Sequence, residues 1–341
     1  MLMIDGSFGE GGGQILRTAL SLGCLKGTPF KLYNIRKGRK RPGLMPQHLT
    51  CVNAIREITD AEVYGNEIGS MELTFIPKQL RSGDYIFDIK TAGSTSLVFQ
   101  TLLPPLLFAD AQSTITIKGG THVPFSPPHH YVSEVFIPML KRMGINVEAS
   151  IERYGFYPKG GGCVRFIVSP VKEISGLNII NRGKLESVNG YSCVGRLPLS
   201  IAERQRNALL KGVEPLSPYI EVTDVQSGGE GSFLFLKAVY ENTVAGFSSL
   251  GMKGKRAEDV GAEVAREFHD FEKTSACLDP HLADQLVLYL AISKKDSSFT
   301  TSSITRHLIT NLHVIERFMT IKYQIDGDIN REGMVTLRFG G

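Results

Sequence analysis

A glutamate set among glycines is the first feature of the chain that could do chemistry. In the segment Gly9-Glu10-Gly11-Gly12-Gly13-Gln14, between a predicted strand and a predicted helix, glycines let the backbone turn tightly and approach a ligand. The free N–H groups of a helix start attract anions. Because a carboxylate beside a phosphate is repelled unless a divalent cation lies between them, we interpret Glu10 as a Mg²⁺ or Mn²⁺ ligand. The alternative is an acidic charge near a helix N-terminus that interacts favourably with the macrodipole.

Basic residues follow this segment. Arg17 lies one helical turn after Gln14, where it could face the same pocket. A basic run between a predicted strand and a predicted helix comprises Arg36, Lys37, Arg39, Lys40 and Arg41. Such a run is either a solvated loop or a loop that holds phosphates of a nucleic acid, and loops in this position tend to line sites. The net charge of +4 is compatible with a polyanionic partner but does not require one.

Two histidines lie beside polar residues that could assist them. His307 is early in the last predicted helix, one turn before Asn311, whose amide is expected to orient the imidazole. From the residues alone, His307 is either catalytic or an ordinary surface or core histidine. His281 lies in a turn that leads into a helix, where Asp284 and Gln285 either cap the helix or bind a ligand.

The composition limits the class of protein. The chain has 341 residues, 42% hydrophobic and 21% charged, which is typical of a globular protein with one large or two to three modest domains. Its five cysteines lack the paired spacing of zinc sites, and their odd number argues against a complete disulfide framework. The sequence has neither a membrane-spanning apolar stretch nor a signal peptide. We therefore expect a soluble, cytoplasmic protein, and a homodimer stays open.

The elements that must position these residues recur along the chain. A strand leads into a small-residue turn and an apolar helix, and a more amphipathic helix and further strands follow. The pattern occurs near the start, again from residue 85, and in a broken third copy with helices at 283–291 and 303–318. A repeat of about 90 residues is too long for a solenoid unit, so we expect the copies to pack around a common core.

A separate unit interrupts the repeats. We predict a large domain from residues 1–183 and 275–341, and a smaller inserted α/β domain at 184–274. Inside the insertion, Gly228-Gly229-Glu230-Gly231 is interpreted as a hairpin turn, with a phosphate cradle as the alternative. Gly160-Gly161-Gly162 is expected to form a tight bend packed against a neighbouring loop, because three consecutive glycines are costly to order.

Taken together and in order, these segments resemble the RNA 3′-terminal phosphate cyclases over essentially the whole chain. Each segment is unspecific alone, but the ordered set is highly specific. The segments that carry the resemblance are Asp5-Gly6 with residues 9–17, residues 35–39 with 42–44 and 47–49, Ala92-Gly93-Ser94, Gly119-Gly120-Thr121, residues 155–162, Leu282-Ala283-Asp284-Gln285 and residues 307–311.

The resemblance implies a fold and a reaction. The family has an α/β (α+β) fold, with a large domain of three βαβαββ units and a smaller inserted α/β domain. Its members use ATP and a divalent cation, Mg²⁺ or Mn²⁺, to convert an RNA 3′-terminal phosphate to a 2′,3′-cyclic phosphate. A histidine becomes adenylylated, AMP passes to the RNA to give RNA-pp-A, and the vicinal 2′-hydroxyl then closes the ring and releases AMP.

The same resemblance implies roles for individual residues. His307 matches the adenylylated histidine, and Glu10 matches the metal-binding carboxylate. His281 stands where many members have tyrosine, so an imidazole would stack on the adenine there. The positions that match the nucleotide pocket are Gln100, Pro127, His281, Leu282, Ala283, Asp284 and Gln285. Those that match the site of the RNA terminal phosphate are Arg17, Arg36, Arg39 and Gln47.

Two other functions are alternatives. One branch of the family keeps the fold, lacks the histidine and acts in ribosome assembly as a non-catalytic RNA-binding protein; the presence of His307 with Glu10 argues against that branch. Enolpyruvyl transferases use similar repeated units but need no histidine nucleophile. Formation of an AMP adduct distinguishes the cyclase from both.

Overall fold

The first of the structural units is a four-stranded mixed sheet covered by two helices. The computed structural model describes residues 1–339. In this unit β1 pairs parallel with β2, β4 pairs antiparallel with both β2 and β3, and the strand order is β1-β2-β4-β3. The elements are β1 (Leu2–Asp5), α1 (Gln14–Lys26), β2 (Phe30–Tyr33), α2 (Pro46–Thr59), β3 (Glu62–Tyr64) and β4 (Leu73–Ile76).

The second unit repeats this topology. Its strand order is β5-β6-β8-β7, with one parallel pair, β5 with β6, and two antiparallel pairs. The elements are β5 (Asp84–Asp88), α3 (Thr95–Leu106), β6 (Ser113–Gly119), α4 (His129–Tyr131), a π-helical segment (Val132–Phe136), α5 (Ile137–Arg142), β7 (Val147–Arg153) and β8 (Gly162–Val168).

A separate sheet and two helices interrupt the third unit after its first strand, β9 (Asn178–Ile179). The order of the inserted sheet is β11-β10-β12-β13, and apolar residues of the insertion, such as Leu234 on β12 and Phe268 on a helix, form a core cluster of their own. This organisation accords with an inserted unit, while the boundaries 184 and 274 stay predictions. The elements are β10 (Leu185–Gly195), α6 (Leu199–Gly212), β11 (Tyr219–Asp224), β12 (Gly231–Tyr240), β13 (Val244–Leu250) and α7 (Ala257–Glu272).

The third unit resumes after the insertion and has the same strand order, β9-β14-β16-β15. The two-residue β9 pairs parallel with β14. A strand of two residues is too short to show a periodic pattern, and the whole insertion separates β9 from its partner. For this reason the sequence pattern predicted an incomplete third copy. The remaining elements are α8 (Pro280–Ser293), β14 (Ser297–Thr301), α9 (Arg306–Phe318), β15 (Lys322–Asp326) and β16 (Gly333–Arg338).

The glycine-rich loops join the second unit to the insertion. A Cβ on Gly228 would lie 2.6 Å from Gly160 O and 2.9 Å from Gly161 Cα, so only glycine permits this backbone contact. The predicted packing of the 160–162 bend against another loop is confirmed. The predicted hairpin at 228–231 is wrong, because β11 and β12 lie on opposite sides of β10 and this loop crosses between them.

Four helices bring the candidate residues together. α1 packs against α3 and α9, and α8 packs against α9. Helix α8 is apolar on nearly all sides and buried, as expected for a helix at the centre of a domain. Between residues 1 and 339, we find no helix that has both the length and the apolar character needed to cross a membrane.

Candidate active site

The first turns of four helices line a cavity of about 490 Å³. Gln14 and Arg17 come from α1, Leu97 from α3, His281 and Asp284 from α8, and His307 from α9. The N-terminal ends of helices carry partial positive charge and unpaired N–H groups. The first turn of α1 contains no acidic residue, and its N-cap, Gly13, provides no side-chain cap. The cavity is therefore suited to an anionic ligand.

His307 lies in the first turn of α9, after the N-cap Thr305, whose side chain accepts a hydrogen bond from Leu308 N at 2.9 Å. Gln14 Nε2 donates to His307 O at 3.3 Å, and Gln14 Oε1 contacts His307 Nδ1. Since the amide nitrogen of Gln14 points to the His307 carbonyl, the amide oxygen of Gln14 faces the ring. This oxygen can only accept a hydrogen bond, so His307 Nδ1 carries the proton. The lone pair of the neutral ring is then on Nε2.

Asn311 does not orient this imidazole, so that prediction is wrong. Its Nδ2 donates to Asp284 O at 2.7 Å, and its Oδ1 accepts from Thr18 Oγ1 at 2.8 Å. Both contacts are buried and join α9 to α8 and α1. The residue that holds the ring is Gln14, from the glycine-rich segment.

The loop that carries Glu10 lies directly against α9. Gly9 has φ +58°, and a Cβ there would collide with Thr310 Oγ1. Glu10 Oε2 lies 2.8 Å from His307 Nε2 and 3.6 Å from Arg39 Nη2. This oxygen is buried and forms no hydrogen bond of acceptable geometry, so its proximity to Nε2 does not satisfy it.

A divalent cation fits this carboxylate. Within residues 1–339 no group of three or more His, Cys, Asp or Glu side chains is arranged to hold a metal ion. Mg²⁺ commonly binds through one or two carboxylates together with substrate phosphates and water, so Glu10 needs no further protein ligand. Its unsatisfied buried oxygen is the observation that supports this fit.

The electrostatics of the site favour a neutral imidazole. Burial lowers the pKa of His307 below the ordinary value of 6.5, while the nearby Glu10 carboxylate opposes the shift and Arg17 adds to it. The side chain is still 46% exposed, so a ligand in the cavity can reach it. A neutral, accessible imidazole is the form that acts as a nucleophile.

The start of α8 supplies polar groups to the same cavity. Burial raises the pKa of Asp284 to about 8, although its hydrogen bond from Thr305 opposes the shift. Gln100 Nε2 donates to Gln285 Oε1 at 2.5 Å, and Gln285 Nε2 donates to His281 O at 2.9 Å. The role of capping α8 belongs instead to Asp279, which accepts from His281 N and Leu282 N at 3.0 Å.

The chain matches the family model for RNA 3′-terminal phosphate cyclase over residues 8–325. The chain belongs to this family. A protein of Sulfolobus acidocaldarius named RNA 3′-terminal phosphate cyclase is 45% identical over 96% of this chain and 97% of its own length. Proteins with the same name from Methylococcus capsulatus and Pyrococcus furiosus are 44% and 42% identical, with 93% and 98% of this chain and 91% and 98% of their own lengths covered.

The residues predicted from the cyclase family differ in where they lie. Those that line the cavity are Arg17, Gln100, Pro127, His281, Asp284, Gln285 and His307. Leu282 and Ala283 are buried in the apolar core, so their side chains face away from a ligand. Glu10 lies beside the cavity through its contact with His307.

Three of the residues predicted to hold the RNA phosphate form hydrogen bonds with backbone groups of the protein. Arg36 Nη1 donates to Arg41 O at 2.7 Å and to Gly43 O at 2.8 Å, and Arg39 Nη2 donates to Glu10 O at 3.1 Å. Gln47 Oε1 accepts from Ser94 N at 2.7 Å. Of these three, Arg39 contacts Glu10, which lies beside His307.

Several residues that line the cavity of this cyclase family member were not predicted from the sequence. Ser248 and Glu267, from the inserted sheet and α7, line the cavity, and so does Phe125, in the loop that contains Pro127. The inserted residues carry no local signal, since nothing in their spacing indicates a long-range contact. Gln14 had a signal, its position at the end of the glycine run.

Proposed function

We propose that this protein is an ATP-dependent RNA 3′-terminal phosphate cyclase that works through an adenylylated His307. The observation that carries the proposal is the setting of His307. Gln14 contacts its Nδ1, which leaves the lone pair on Nε2, the atom beside Glu10. The ring lies in a cavity that is lined by the N-terminal turns of four helices. The names of the relatives, together with their identity to nearly the whole chain, support the same function.

In the first step, His307 Nε2 attacks the α-phosphorus of ATP. The N–P bond forms as the bond to the bridging β-phosphate oxygen breaks, and pyrophosphate leaves. An oxygen of the RNA 3′-phosphate then attacks the same phosphorus, which releases the histidine and gives RNA-pp-A. The 2′-hydroxyl finally attacks the RNA phosphorus, loses its proton and expels AMP.

The order of steps follows from the chemistry of a phosphate monoester. A 3′-phosphate is a poor electrophile because its oxygens are charged and it has no good leaving group. Adenylylation provides AMP as the leaving group. The ribose already holds the 2′-hydroxyl close to the activated phosphorus, so ring closure is intramolecular.

The cavity offers compensation for the charge of a triphosphate. Arg17 and the uncapped start of α1 supply positive charge on the side of His307. Glu10 would hold the cation, which neutralises phosphate oxygens when bound. Because burial raises the pKa of Asp284 to about 8, this carboxyl is largely neutral near pH 7 and repels phosphate less than an ionised one.

A base-binding position is proposed further from His307. Pro127 and His281 both line the cavity and would contact the adenine from the loop and from α8. Gln100, Gln285 and Asp284 would provide the polar contacts to the sugar or base. A cytoplasmic location and a homodimer stay predictions.

The decisive experiment is incubation with ATP labelled at the α-phosphate, together with Mg²⁺ or Mn²⁺. An acid-labile, alkali-stable label on the protein supports the enzyme, and transfer to a 3′-phosphorylated RNA should then yield a 2′,3′-cyclic end. A protein that takes up no label under these conditions would instead match the non-catalytic RNA-binding branch or a transferase of another kind.

The pH dependence of adduct formation should be bell-shaped. His307 reacts only when neutral, and its pKa is lowered, so the rate should stay constant as the pH falls through 6.5 and decrease only below it. On the alkaline side, ionisation of Asp284, with a pKa of about 8, adds negative charge to the cavity and should slow the reaction.

Single-turnover rates measured from well below pH 6.5 to well above the pKa of about 8 of Asp284 test this profile. Asp284→Asn keeps an oxygen to accept the Thr305 hydrogen bond but cannot ionise, so it should flatten the alkaline limb alone. An acid limb centred above 6.5 would contradict the lowered pKa of His307.

Arg39 is proposed to contact the RNA terminal phosphate, and Arg39→Gln tests this role. Charge reversal is unsuitable because Arg39 lies 3.6 Å from Glu10, where a new carboxylate would also disturb the cation site. Glutamine keeps a donor for Glu10 O and removes the charge. We expect RNA transfer to slow on the order of tenfold, since a charged hydrogen bond is lost, and adduct formation to slow less. Equal slowing of both steps would assign Arg39 to the support of Glu10 instead.

A further inference from the structure

A phenylalanine stands unprotected at the rim of the cavity. Phe125 is fully exposed, although it lines the same cavity as His307. Its backbone has φ +62°, a left-handed conformation that bulky residues rarely adopt. Both features are unfavourable in the free protein, because an aromatic ring is left in water and the backbone is strained. Such strain persists where the surrounding structure imposes it, which is frequent at ligand sites.

The loop around Phe125 holds the ring in this position. Pro124, Pro127 and Pro128 restrict the backbone on both sides. Ser126 Oγ donates to Val123 O at 3.1 Å, and His129 N donates to Thr121 O at 3.0 Å where the loop returns to a helix. The ring is thus presented by a stiff loop, and little conformational freedom is lost when a ligand covers it.

We propose that Phe125 stacks on a base of the RNA substrate just outside the cavity, an inference that rests on the proposed function. Aromatic side chains are the usual platforms for bases of single-stranded RNA, whatever the sequence. The RNA must bring its terminal phosphate to His307 while its preceding nucleotides stay in solvent. A ring at the rim with its surface fully accessible is placed for those nucleotides.

The adenine of ATP is the weaker candidate for this contact. A nucleotide whose α-phosphate lies at His307 has its base within the cavity, where Pro127 and His281 form the walls. Phe125 leaves its ring in solvent, so a base between those walls would cover little of it. The RNA chain approaches from the solvent side, so one of its bases can cover a whole face of the Phe125 ring.

Binding of a short single-stranded RNA with a 3′-phosphate and 2-aminopurine near that end tests the proposal directly. Stacking on the ring should quench the 2-aminopurine fluorescence without any need for ATP. Phe125→Asn removes the ring, and asparagine tolerates the left-handed backbone, so the loop should keep its shape. We expect this variant to lose the quenching and bind the RNA on the order of tenfold more weakly. Phe125→Trp should retain both.

The controls separate this proposal from the proposed function. Tyr219, an exposed aromatic residue on β11 outside the cavity wall, gives a matched variant, Tyr219→Asn, that should bind RNA as the unaltered protein does. If Phe125→Asn instead keeps its RNA affinity and raises the KM for ATP in adduct formation, the ring contacts the nucleotide and the proposal is overturned. Failure of the unaltered protein to form any adduct would refute the adenylylation mechanism, whereas the quenching measurement would still report on stacking.

Discussion

His307→Ala should reduce formation of the AMP adduct and RNA cyclisation by at least about 10³-fold, because removal of a covalent nucleophile has effects of this size or larger. The loss should appear in single-turnover reactions with saturating ATP, since in the proposed mechanism His307 forms the covalent bond and is not needed to bind ATP. A small rise in the Kd for ATP is the most that binding should show.

The geometry around His307 explains why His307→Ala should lower the reaction rate and leave the stability of the fold almost unchanged. The imidazole is 46% exposed, while its neighbour Leu308 is buried in the core. Truncation at position 307 removes the contacts to Gln14 and Glu10 and leaves α9 capped by Thr305. The midpoint of thermal unfolding should therefore change little.

A histidine on the same helix provides the matched control. His313 stacks on Phe8 with ring centroids 3.7 Å apart and lies outside the cavity wall. His313→Ala should form the adduct at close to the unaltered rate. Mass spectrometry of the adenylylated protein can locate the AMP, and a modified residue other than His307 would remove the basis of the mechanism.

The fold was predictable where local signals are strong. Helix α1 follows a glycine run, α8 begins at a proline after the capping Asp279, and α9 begins after Thr305, so each start could be placed to within a few residues. The two-residue β9 offers no such signal, because its pairing with β14 depends on residues beyond the insertion. Local propensity cannot report a contact of that range.

The candidate site, too, was predictable from the sequence only in part. Glu10 and His307 were identifiable by residue type and by resemblance, since carboxylate and imidazole limit the chemistry they can do. Their contact at 2.8 Å was not, because it depends on how the loop before α1 packs on α9. Asn311 shows the error that spacing alone produces. One helical turn separates it from His307, yet its amide is taken by Asp284 and Thr18.

Gln14→Leu should slow adduct formation by up to about 10⁴-fold, the loss seen when a catalytic histidine is left in the wrong tautomer. In the unaltered protein the amide oxygen of Gln14 accepts the Nδ1 proton, and this leaves the lone pair on Nε2. Leucine has a similar size but no acceptor, so the proton can move to Nε2, where the Glu10 carboxylate, 2.8 Å away, favours it electrostatically. The ring would then present a proton at the atom that, in the proposed mechanism, attacks the α-phosphorus.

A second substitution distinguishes this tautomer effect from damage to the fold. Gln14→Glu retains an oxygen beside Nδ1 and should recover much of the rate, although its charge raises the pKa of His307 and moves the acid limb to higher pH. Nitrogen chemical shifts of the His307 ring report the tautomer directly, and they should show Nδ1–H in the unaltered protein and Nε2–H in Gln14→Leu. If Gln14→Leu reacts slowly while its ring still carries the proton on Nδ1, orientation of the ring, and not the tautomer, is what Gln14 provides.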